Sequence, residues 1–246
     1  MNDMIRGRLD EAVDRAHGAV DRAQDKLAEV KPKLRGWLHA GTAPLALAAG
    51  IVLIALSPTE GTRIASTVFA VSAMILFTVS AIYHRGTWSP RTWAFLRRFD
   101  HANIFILIAG SYTPFAVLFL EGATRATLLA VVWSAAILGV LFRVFWTDAP
   151  RWLYTPMYIA LGWSAVFFYP QFVAGADRFS ASVSIAVLVL VATGGVLYTI
   201  GGVVYGFKRP DPAPTWFGFH EVFHSFTILA FITHYVGVSL ATYSLR

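Results

Sequence analysis

Cysteine is absent from the 246-residue chain. That excludes disulfides, thiolate metal sites, iron–sulfur clusters and a cysteine nucleophile. Charge is nearly as scarce: Asp, Glu, Lys and Arg make up 14% of the residues, against about 25% in a soluble domain. So few charges cannot cover a water-facing surface. A hydrophobic fraction of 57% is equally foreign to a disordered chain. Acidic residues are the rarer sign, 14 against 20 basic, which leaves a net charge of +6. The basic residues are spread over loop ends and not gathered into a patch, which fits contact with anionic membrane lipids rather than with nucleic acid. No secretory signal is visible in the sequence: the first long apolar run begins only at Thr42, behind a heavily charged stretch and without a small-residue cleavage pattern.

What the chain has in quantity is apolar runs of membrane-spanning length, about 20 residues each. Seven are visible: Thr42–Leu56, Ile64–His84, Asp100–Leu120, Ala126–Trp146, Tyr154–Phe172, Val183–Phe207 and Phe217–Tyr243. They are too long and too uniformly apolar for barrel strands. The expected fold is therefore all-α, a polytopic membrane protein built as a seven-transmembrane-helix bundle. Lys31, Lys33, Arg35, Arg85, Arg91, Arg97, Arg98, Arg143, Arg151, Lys208 and Arg209 fall on one side of such a bundle, and Arg63, Arg125, Arg178 and Arg246 on the other. The positive-inside rule then puts the N-terminus in the cytoplasm and the C-terminus outside, in the plasma (inner) membrane. Trp88, Trp93, Trp146, Trp152 and Trp216 lie at run ends on the positive side, as interfacial anchors should.

Residues 1–38 are a different kind of sequence, set apart from a membrane domain over 39–246. Leu9, Val13, Ala16, Val20, Ala23, Leu27, Val30, Leu34 and Trp37 form a heptad stripe. The expectation is a cytoplasmic amphipathic helix, with self-association into a homo-oligomer as the sharper alternative. Before Ala40 there are 8 basic and 7 acidic residues, so the body of the chain is poorer still in charge.

Polar groups inside spans are expensive, and those present mark function. The second run ends in Ser80-Ala-Ile-Tyr-His84, the third opens on Asp100-His101 and continues through Gly110-Ser111-Tyr112-Thr-Pro, and the seventh opens on His220-Glu221-Val-Phe-His224 and later carries His234. The alternating directions of the spans put His84, Asp100, His220 and His224 in one layer at the cytoplasmic face. His220 and His224 share a helix face, a recurring way to offer a metal two neutral imidazoles. His84 is the best-placed third ligand, Asp100 the carboxylate that could serve a bound water, and Ser80 lies one turn before His84. His101 points about 100° away from Asp100 around the helix, and His234 lies about 15 Å deeper than His224. Both read as residues that back the ligands, pack or line a cavity, as do Ser111, Tyr112 and Glu221. The pattern H-E-x-x-H also matches a metalloprotease with Glu221 as general base, but no acidic residue follows His224 to supply a further ligand.

Taken together, SAIYH, RRFDHANIFILIAGSYTPF and FGFHEVFH resemble the haemolysin III family, the bacterial branch of the progestin and adipoQ receptor (PAQR) family that includes the adiponectin receptors. The likeness extends over about residues 36 to 246. It implies a seven-helix bundle with zinc held by His84, His220 and His224, a water at the fourth position beside Asp100, and Ser80 as a supporting hydroxyl. Alkaline ceramidases share this residue set, so the resemblance implies a zinc-dependent hydrolase of a lipid amide or ester. The alternative is a non-catalytic membrane-state sensor or receptor with structural zinc. An intramembrane protease and a pore-forming haemolysin rank below both.

Overall fold

In the computed structural model, residues 32–246 are described. The stripe over residues 1–31 lies outside them. Among the described residues, seven helical segments are long and apolar enough to cross a membrane. The first four are α1 (Trp37–Leu56), α2 (Glu60–Arg85), α3 (Pro90–Phe119) and α4 (Gly122–Phe145). The fifth is interrupted: α5 (Arg151–Gly162) passes through a 3-10 turn (Ser164–Phe168) into α6 (Tyr169–Ala176). The sixth and seventh are α7 (Ala181–Phe207) and α8 (Phe219–Tyr243). The protein is thus a multi-pass all-α membrane protein.

The spans match the seven apolar runs, with informative shifts at their ends. α1 starts five residues before Thr42 and takes His39 into the bundle. α3 starts ten residues before Asp100, so Asp100 is nearly three turns inside the helix and not at its start. The stretch RTWAFLRRF is helix and not connector because Ser89 caps it, its Oγ accepting the Thr92 N–H at 3.3 Å, and Pro90 takes the first turn. α2 begins on a reciprocal cap in which Thr59 and Thr62 each accept the other's backbone N–H.

α3 is the centre of the bundle. Most of its apolar window (78%) is buried, against 44% or less in every other span. α2, α4, α5, α6 and α8 all touch it, while α1 packs on α2 and α8, and α7 on α8 and α5. Large apolar side chains such as Leu45, Ile51, Leu138, Phe145, Phe167 and Ile185 face outward. Small and hydroxyl residues such as Ala65, Ser66, Ser72, Ala73, Ala109 and Ser111 are buried between helices, the distribution expected where lipid is the solvent and helices associate by close packing.

The interruption of the fifth span is held by Tyr112 of α3. Its hydroxyl donates to the Gly162 carbonyl at 2.6 Å and accepts from the Ala165 N–H at 2.9 Å. One side chain thus satisfies a carbonyl and an N–H at the break, as a membrane interior requires. Broken helices at membrane depth are tolerated where they line a cavity, and Gly162, Trp163 and Ala165 do so here.

Candidate metal centre and its cavity

The end of α2, the first third of α3, and the beginnings of α1 and α8 meet at one end of the bundle. There the ring nitrogens of His84, His220 and His224, all buried, lie within 4.8 Å of one another. His84 Nε2 and His220 Nε2 are 3.1 Å apart. Two nitrogen ligands on a tetrahedral zinc, each at about 2.0–2.1 Å, stand about 3.3 Å apart, so this pair already has the spacing of two ligands to one ion. The ring centroids of His220 and His224 are 4.5 Å apart, and those of His84 and His224 5.4 Å. His224 Nδ1 is buried with no hydrogen-bond partner among the described residues. Three imidazoles from two helices, with a buried nitrogen that no described residue satisfies, fit a metal ion.

Asp100 brings a carboxylate to this group, with Oδ2 at 3.7 Å from His84 Nε2. Ser80 stands beside it, and its Oγ is buried without a completed hydrogen bond among the described residues. Ser80, Asp100, His220 and His224 form the polar end of a cavity of about 270 Å³. His84 reaches the cluster from just behind that wall. The rest of the lining is mostly apolar and comes from α3, the broken fifth span, α7 and α8, including Ile104, Leu107, Ile108, Phe115, Leu188 and Val191.

The other residues that the sequence singles out divide by what they touch. His101 is committed to the framework. Its Nδ1 donates to the Arg97 carbonyl at 2.7 Å, which leaves Nε2 to accept from the Tyr205 hydroxyl at 3.1 Å. Tyr205 in turn meets the Tyr154 hydroxyl at 3.2 Å, so this chain ties α3 to α7 and α5. Ser111 lines the cavity but spends its hydroxyl on the Leu107 and Ile108 carbonyls. Tyr112 is the clamp described above. His234 lines the cavity well away from the three histidines.

Glu221 is fully buried yet does not line the cavity. One position after His220, it is turned about 100° from the histidine face. Its Oε1 accepts from Arg35 Nε in an ion pair buried on the Glu221 side and half-buried on the Arg35 side, and its Oε2 accepts from the Gly218 N–H at 2.8 Å. Both oxygens are occupied in fastening the start of α8. Glu221→Gln is therefore expected to lower the thermal midpoint of the purified protein, since losing a charge-assisted hydrogen bond to a buried carboxylate costs about 1.5–3 kcal/mol. Hydrolytic rate per folded molecule, if any, should stay within a few-fold. A variant of unchanged stability and abolished activity would restore the general-base role.

Two residues at this end escaped the reading of the sequence. His39 stacks on His224 with ring centroids 3.8 Å apart and 13° between planes, and it lines the cavity. It stands alone in its stretch, with no motif to single it out. Arg35 belongs to a turn that precedes α1 and is held against the loop before α8. Lys33 N–H donates to the Thr215 carbonyl at 3.0 Å, Leu34 N–H donates to the Trp216 carbonyl at 3.1 Å, and Lys33 Nζ lies 4.0 Å above the Trp216 ring. Gly36 ends that turn at φ +81°, and a Cβ there would stand 2.8 Å from the His84 Cβ. Only glycine suits both the left-handed backbone and the approach to His84.

Comparison with known proteins agrees with this architecture. The sequence profile described as Haemolysin-III related matches residues 27–235. The chain belongs to this family. Among similar proteins, "Hemolysin-3 homolog" of Bacillus subtilis (strain 168) is 33% identical over 162 residues, 66% of this chain and 70% of that protein. "Hemolysin-3" of Bacillus cereus is 31% identical over 174 residues, 70% of this chain and 76% of that protein. The matched stretch of the haemolysin-III family profile contains every residue of the histidine cluster, together with Asp100 and Ser80.

Proposed function

We propose that the chain is a zinc-dependent hydrolase that cleaves an amide or ester bond in a membrane lipid. The observation that carries this reading is the meeting of His84, His220, His224 and Asp100 at the polar end of a mostly apolar cavity. A cavity with apolar walls suits an acyl chain, and its polar end suits the carbonyl. His84, His220 and His224 would hold the zinc as three neutral imidazoles, and the ion, when bound, would supply Lewis-acid polarisation and an activated water at neutral pH. Asp100 takes the proton from the attacking water and delivers it to the leaving nitrogen or oxygen as the carbonyl–heteroatom bond breaks. Ser80, beside the carboxylate on the neighbouring helix, has a hydroxyl free among the described residues to offer it. The ring of His39, stacked on His224, fixes that ligand's plane. The likeness of SAIYH, Asp100 and HEVFH to the PAQR proteins and alkaline ceramidases points the same way.

The direct test is release of free fatty acid from a panel of N-acyl and O-acyl lipids by the purified, zinc-loaded protein. Cleavage of one class supports the hydrolase. A zinc-loaded protein that cleaves none of them leaves the second reading, a membrane-state sensor with structural zinc. The observation that favours that second reading is the Arg35–Glu221 pair, which fastens the segment before α1 to the helix that bears two of the histidines.

We place the chain in the plasma (inner) membrane with the histidine cluster near the cytoplasmic face, on the strength of the loop charges. An epitope tag on the N-terminus is then expected to be protected from protease in intact cells and one on the C-terminus accessible. The opposite protection pattern would invert the orientation.

A further inference from the structure

The cavity has a second polar place that the hydrolytic reading does not use. His234, on α8, lies ten residues beyond His224, about 15 Å further along the helix axis. Tyr198, on α7, packs against it with ring centroids 5.6 Å apart and 62° between planes. α7 and α8 run in opposite directions, and helical side chains lean toward their own N-termini. The two rings therefore lean toward each other, and both line the cavity. Phe115 closes the place on the α3 side, its ring edge-on to His234 at 5.6 Å. α7 makes room for the imidazole with Gly194, where a Cβ would run into the His234 ring.

The hydrogen-bonding capacity here is unspent. His234 Nε2 faces the Val191 carbonyl at 3.4 Å, which makes Nε2 the protonated nitrogen and Nδ1 a bare acceptor. His234 Nδ1 and the Tyr198 hydroxyl are both buried with no hydrogen-bond partner among the described residues. Buried polar groups are otherwise almost always paired. A ligand hydroxyl lodged between the two rings would donate to Nδ1 and accept from the Tyr198 O–H.

We propose that Tyr198 and His234 form a hydroxyl-binding subsite, and that the lipid which occupies the cavity carries a mid-chain hydroxyl. The inference rests on the proposed lipid occupancy of the cavity, but not on hydrolysis. The depth of the pair below the histidine cluster excludes a hydroxyl beside the carbonyl and calls for one well down the acyl chain.

The test is competition binding on the purified full-length, zinc-loaded protein, with oleate and ricinoleate displacing a fluorescent fatty acid. These two differ by one mid-chain hydroxyl. Wild type is expected to bind ricinoleate about tenfold more tightly, the worth of a satisfied buried hydrogen bond. His234→Phe and Tyr198→Phe should each bring the ratio near one without weakening oleate. Tyr198→Phe removes a single oxygen and keeps the test decisive should the larger change at His234 disturb folding. Equal affinities in wild type, as expected of a pair that holds only water, would overturn the subsite. So would a preference that survives both variants. If neither fatty acid displaces the probe, the lipid cavity falls with it. A ricinoleate preference in a protein that cleaves no lipid supports the subsite while removing the hydrolase.

Discussion

Purified wild-type protein is expected to hold about one zinc ion per chain, the capacity of a single three-histidine site, and His220→Ala to lose nearly all of it. Loss of an outer hydrogen-bond partner alone weakens metal binding about 10–100-fold. Loss of one of only three protein ligands should exceed that range. His224→Ala should behave alike, because its ring shares the helix face and the cluster. His234→Ala is the control, since its imidazole contacts Val191, Phe115 and Tyr198 instead. Elemental analysis of the three variants after size-exclusion chromatography reads the result. Full metal content in His220→Ala would remove the cluster as the binding site.

Asp100→Asn should give the opposite signature. The side chain keeps its shape, and the three histidines remain, so zinc content should match wild type. Hydrolysis should fall by about 10²–10⁴-fold, the usual contribution of a positioned general base. The carboxylate is the only one that faces the histidines among the described residues, with Oδ2 at 3.7 Å from His84 Nε2. Glu221 cannot replace it, since its oxygens are held by Arg35 and the Gly218 N–H. A variant that cleaves lipid at the wild-type rate would show that Asp100 is not the base. One that loses its zinc would make Asp100 a structural partner of His84.

The seven spans were legible because hydropathy over a window is a strong signal, and the layer of His84, Asp100, His220 and His224 followed from alternating helix directions alone. What the sequence concealed lies where two signals conflict or where contacts are long-range. Arg91, Arg97 and Arg98 masked the first turns of α3, although Ser89-Pro90 is a readable helix start. His39 and Arg35 act through partners 185 and 186 positions away in the chain, His224 and Glu221, and no local spacing announces such a pairing. The break in the fifth span has only Gly162 and the flanking Pro156 and Pro170 as hints. Tyr112, which satisfies the exposed backbone there, comes from another helix. Glu221 shows the reverse case, a motif that reads as chemistry and folds as a fastening. Helical geometry explains it, since the residue after a ligand is turned away from the ligand face.

The most direct measurement is a depletion and restoration cycle on the purified protein with whichever acyl lipid the panel identifies. Fatty-acid release should stop when a chelator strips the metal, return on addition of zinc, and fail to return in His220→Ala. Release that continues undiminished in protein shown to be metal-free would contradict a zinc-dependent hydrolase built on these three histidines.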